Sequence, residues 1–69
     1  MPEFADKAEF GARALSFSKS GLALLVDLGD REPVWVPCSQ IDDDSEVWEP
    51  GQEGTLVIAE WWAKKEGLI

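Results

Sequence analysis

A chain of 69 residues with 14 acidic and 6 basic side chains, a formal charge of −8 and no histidine excludes several function classes before any motif is read. So short a chain buries only about 60% of its unfolded surface and supports one core, which makes residues 1–69 a single domain. A field of this sign repels nucleic acid and anionic membranes, so direct binding to either is not expected and a basic partner is.

In chain order, residues 1–11 are expected to form an N-terminal arm or a short helix, with Pro2 and Glu3 suited to a first turn. They carry no apolar run of the signal-peptide kind. Residues 12–58 carry the pattern of a β-sheet. Ala14, Leu15 and Phe17, flanked by polar residues, begin a first strand, and Ser18-Lys19-Ser20-Gly21 is turn chemistry that makes a hairpin. Leu22, Leu24, Val26 and Leu28 then alternate on one face, directed at a core. A second turn spans residues 29–33. Val34-Trp35-Val36 follows as a short strand closed by Pro37.

Asp42-Asp43-Asp44-Ser45 favours a turn, and Glu46-Val47-Trp48-Glu49 resumes the alternation. After a turn over residues 50–54, Thr55-Leu56-Val57-Ile58 is a β-branched strand. Residues 59–67 read as a helix, with Lys64 and Lys65 near its end and Gly67 as the residue beyond it. The expected fold class is mainly β (α+β): a small curled antiparallel sheet, or an SH3-like or OB-like barrel, of about four or five strands with a short C-terminal helix.

The chemistry of a catalyst is hard to assemble from this chain. Ser-His and Cys-His pairs cannot be built without histidine, and Cys38 as the only cysteine leaves no intrachain disulfide and favours a reducing, cytoplasmic setting. Asp42, Asp44, Glu46 and Glu53 fall near the spacing of a calcium-binding loop, but Val47 stands where such a loop needs glycine and Pro50 falls inside it. Paired carboxylates for glycoside hydrolysis need a cleft that surrounds a sugar, which so small a domain rarely offers. The expectation is a binding module rather than an enzyme, with no catalytic residues, metal ligands or cofactor.

Charge is segregated along the chain. Five acids and four bases lie at or before Arg31, whereas the 32 residues between Arg31 and Lys64 hold eight acids and no base. Ordinary surfaces intersperse the two signs, because repulsion among like charges costs stability. Carboxylates at alternate residues of a strand lie about 7 Å apart, near the separation of successive backbone phosphates, so this stretch can imitate a nucleic-acid strand. The candidate partner-binding residues are Glu32, Asp42, Asp43, Asp44, Glu46, Trp48, Glu49 and Glu53. Trp61 and Trp62 point about 100° apart on a helix, so both cannot face the core. An exposed tryptophan beside carboxylates is a good anchor for a basic surface.

Val34 to Ile41, Glu46-Val47-Trp48, the run from Gly54 to Ala63 and Gly67-Leu68 resemble small uncharacterised proteins of phages and prophages, over about the last half of the chain. Size, acidity and the lack of catalytic groups also resemble, as a class, the acidic anti-CRISPR inhibitors, some of which imitate DNA. That resemblance implies a phage-type inhibitor in the cytoplasm of an infected or lysogenic bacterial host. It implies stoichiometric binding to a basic nucleic-acid-binding protein, such as a CRISPR effector subunit of the Cascade or Cas9 type, with target DNA excluded. The alternative is an accessory protein–protein interaction domain of a phage recombination or replication cluster, working through its tryptophans and a sheet edge.

Overall fold

Alternation of small apolar residues with polar ones carries the longest strand, β1 (Lys7–Phe17), whose Ala8, Ala12 and Ala14 are buried while Glu9, Gly11 and Arg13 are exposed. A computed structural model describes residues 3–69. The remaining strands are β2 (Ala23–Asp27), β3 (Val34–Pro37) and β4 (Glu53–Ala59), and the antiparallel sheet has the order β3-β2-β1-β4. The fold is therefore mainly β, a curled half-barrel sheet with one short helix, α1 (Glu60–Lys65).

The expectation for residues 1–11 is corrected. Lys7 to Gly11 are strand, in register with Ala59 to Thr55 of β4, because the period of two starts at Lys7 and not at Ala12. A helix there would have left Ala8 and Phe10 on different faces, whereas the strand sets both against Ile58 and Leu56. The part of that expectation resting on Pro2 lies outside the described residues. Leu22, expected to face the core, is instead 73% exposed. Its amide donates to Ser20 Oγ at 3.3 Å, so the residue belongs to the hairpin turn, and β2 begins one position later.

A one-residue irregularity between Ala14 and Ser16 interrupts the pairing of β1 with β2 and bends the long strand. That bend lets β1 serve both halves of the curl. The chain leaves β3 through a single 3₁₀ turn (Cys38–Gln40) and returns beside β4, on the far edge of the sheet, where Ile41 bridges to Ile58. Residues 46–49 do not form the regular strand expected of them. Glu46 N–H still donates to Thr55 O at 2.9 Å, but the chain then turns around Gln52, whose Oε1 accepts from the Trp48 and Glu49 amides.

The core lies inside the curl. Leu24, Val26, Val36, Ile41, Val47, Leu56 and Ile58 are fully buried and are joined by Trp62, Ala63 and Leu68 from the C-terminal segment. Each large aliphatic side chain contributes about 1.5–3 kcal/mol by leaving water. The helix is shorter than residues 59–67. Ala59 precedes it in an extended conformation with no side-chain cap, and the first helical amide, Glu60 N–H, donates to Asp6 O instead. At the other end Gly67 takes φ 76°, Gly67 N–H donates to Lys64 O, and Leu68 N–H donates to Ala63 O at 2.8 Å. This is the left-handed stop expected of Gly67, and it folds Leu68 into the core. Among the described residues no helix is long and apolar enough to cross a membrane.

Candidate functional site

Five of the expected contact residues come together on one hairpin. Asp43, Asp44, Glu46, Glu49 and Glu53 are all exposed, and all lie on the segment that runs along β4, on the turn after it or at the start of β4 itself. Trp48, in the same turn, is 43% exposed. Glu32 is also exposed but sits in the β2–β3 connection, separated from the hairpin in sheet order by β1 and β2.

Asp42 is a correction, because its side chain is fully buried and cannot present charge to a partner. Oδ2 accepts from Phe4 N–H and Oδ1 from Asp44 N–H, both at 2.8 Å, while Lys7 Nζ lies 3.3 Å from Oδ1. The Asp44 amide, followed by the Phe4 amide and the Lys7 ammonium, holds this carboxyl below its ordinary value against the opposing effect of desolvation. Asp42 therefore ties the N-terminal segment to the acidic hairpin.

Glu46 divides between two roles. Its Oε1 accepts from Thr55 N–H at 2.8 Å, which occupies part of the carboxylate while the residue stays exposed. The buried Ser45 does similar work further in, since its Oγ accepts from Val57 N–H at 3.0 Å and donates to Val47 O at 2.9 Å. With Asp42 N–H donating to Val57 O, the outer edge of β4 is satisfied at Thr55 and Val57 by a mixture of backbone and side-chain groups. The carboxylates beside it are thus mounted on a fixed edge.

The charge segregation seen along the chain is softened in space. Lys7 Nζ reaches Asp44 Oδ2 at 3.2 Å as well as Asp42, and the Asp44 carboxylate is the main reason its ammonium is held above its ordinary value. Arg13 pairs in register with Glu53 on one side and Asp27 on the other. Both bases come from β1, which counting residues between Arg31 and Lys64 cannot reveal. Asp43 and Glu49 are exposed and have no ion pair among the described residues.

One concave region borders this edge and a second lies between the N-terminal segment and α1. A shallow groove of about 600 Å³ lies over Gly11 and Arg13 between Asp27, Glu53 and Thr55. A smaller pocket of about 330 Å³ is lined by Phe4, Ala5, Asp6, Glu60, Trp61 and Lys64. Of the two adjacent tryptophans, Trp61 is 54% exposed and Trp62 is buried, as their angular separation requires. Phe4 and Asp6 were not singled out by the sequence, and only the Trp61-Trp62 pair indicated that the helix exposes an aromatic side. Among the described residues no three Asp, Glu or Cys side chains converge as metal ligands. Comparison with protein-family models, with curated proteins and with solved structures finds no match.

Proposed function

We propose that the chain is a non-catalytic binding protein that occupies a Lys- and Arg-rich nucleic-acid site on another protein, using the acidic hairpin in place of a phosphate backbone. The observation that carries this reading is the concentration of Asp43, Asp44, Glu46, Glu49 and Glu53, all exposed, on one edge held rigid by Ser45 and Asp42. A rigid array loses little entropy when it meets a complementary field, and its steering accelerates encounter. In its narrower form the proposal is a phage-type inhibitor of the anti-CRISPR kind, acting in the bacterial cytoplasm on a CRISPR effector and excluding target DNA. The support for that form is the resemblance in sequence and class described above.

The test is a competition between the chain and target duplex for such an effector, followed across salt concentrations. Association is expected to displace the duplex, to weaken steeply with salt and to collapse when Asp43, Asp44, Glu49 and Glu53 become amides. A complex that forms alongside bound duplex, or that survives both the amide changes and high salt, overturns the proposal.

One observation favours the accessory-domain reading. Trp35 is 49% exposed on the edge strand β3, opposite Leu25 of β2, on the side of the sheet away from the acidic hairpin. On that reading Trp35→Ala weakens association more than the four amide changes do, and salt has little effect.

A further inference from the structure

The pocket between the N-terminal segment and α1 combines two aromatic rings with two carboxylates. Phe4 and Trp61 supply the rings, Asp6 and Glu60 the acids, and the volume of about 330 Å³ leaves room for a side chain. The pocket lies next to the segment that holds the acidic hairpin in place. Phe4, which lines it, donates its amide to Asp42, and Lys7, just beyond Asp6, pairs with Asp44. A partner lying along the hairpin is therefore brought to the mouth of this pocket.

We infer that the pocket receives an arginine side chain of the partner, its guanidinium stacked on Trp61 and hydrogen-bonded by Asp6 and Glu60. Arginine suits these walls better than lysine, because a planar guanidinium stacks on an indole and still presents donors in its plane to carboxylates. The surface also carries its own occupant. Lys64, one helical turn beyond Glu60, places Nζ 2.9 Å from Glu60 Oε1, and the Glu60 carboxylate, with Asp6 behind it, holds the ammonium above its ordinary value. A cation already sits against Glu60, so an incoming arginine takes the place of Lys64.

This inference rests on the hairpin being the binding edge, so the experiment separates the two. Titration calorimetry at low salt uses two basic peptides that differ only in having arginine or lysine at every charged position. The wild-type chain is expected to prefer the arginine peptide by about tenfold, and Trp61→Leu to level the two affinities; Trp61 is half exposed, so that variant keeps the core. Lys64→Gln is expected to strengthen arginine-peptide binding severalfold more than Lys65→Gln, which removes the same charge outside the pocket. If Trp61→Leu leaves the arginine preference in place, or if Lys64→Gln and Lys65→Gln act alike, the pocket assignment is overturned while the hairpin reading stands. If neither peptide binds the wild-type chain at low salt, the hairpin reading falls and takes the pocket with it.

Discussion

Asp42 is the residue whose chemistry departs most from its neighbours. Three acids stand in sequence, yet the first is buried against two backbone amides and a lysine while the next two face water. Its carboxyl is held below the ordinary value of 3.8, so the stability it contributes is fully present above that pH and is lost as the pH falls through the lower folded value. Thermal melts are therefore expected to hold their midpoint down to about pH 4 and to drop below it. Asp42→Asn is expected to lower the midpoint at neutral pH by about 10 °C and to flatten the acid limb. An unchanged acid limb would remove Asp42 from this account. Ser45 makes the parallel case without charge. Its hydroxyl serves Val47 and Val57 in a buried site, so Ser45→Ala leaves Val57 N–H unpaired and costs about 1–3 kcal/mol in denaturant titration.

Among the elements, β1 and the 41–47 segment decide the architecture, and they differ in how legible they were. The strands β2, β3 and β4 and the glycine stop of the helix could be read from period and turn chemistry, because Leu24, Val26, Val34, Val36, Leu56 and Ile58 repeat at two and Gly67 follows two lysines. The first turn of β1 was obscured. Lys7 to Gly11 contain only small or polar residues besides Phe10, and what makes them strand is a partner 46 residues away at the pair of Phe10 with Leu56 and farther still at the pairs before it. The acidic edge was legible in composition but not in burial, since nothing in Asp42-Asp43-Asp44 distinguishes the first acid until Phe4 and Lys7 arrive from elsewhere. Two glycines test their elements, Gly67 just past α1 and Gly54 near the start of β4. Gly67→Ala forces a side chain into the left-handed region at φ 76° and is expected to cost about 1–2 kcal/mol. Gly54 sits at φ 154° with Glu46 Oε1 only 2.7 Å from where a Cβ would stand, so Gly54→Ala is expected to destabilise by about 1–3 kcal/mol and to free the Glu46 carboxylate. Equal stability of either variant would contradict the geometry.

At the scale of the whole molecule, a charge of −8 on 69 residues works against the compact state. The hairpin carboxylates repel one another, and among the described residues Lys7 and Arg13 are brought near them. Added sodium chloride is therefore expected to raise the thermal midpoint by a few degrees between about 20 mM and about 0.5 M, while weakening association with a basic partner over the same range. A midpoint that falls with salt would mean that the ion pairs of Lys7 outweigh the repulsion. The opposite signs of the two salt effects separate folding from binding in one titration series.

The side-chain stitch along β4 also governs which substitutions the acidic edge tolerates. Because the amides and carbonyls of Thr55 and Val57 are already paired there, a visiting chain finds no free main-chain ladder at those positions, and the proposed binding goes through carboxylates. A carboxylate that acts only by its charge is indifferent to one methylene. Exchange of aspartate for glutamate, or the reverse, should pass unnoticed at positions 43, 49 and 53, while the same exchange at Asp42 disrupts the fold. On the proposed reading, substitution along this edge is free in identity and constrained in sign, with one buried position held to a single residue.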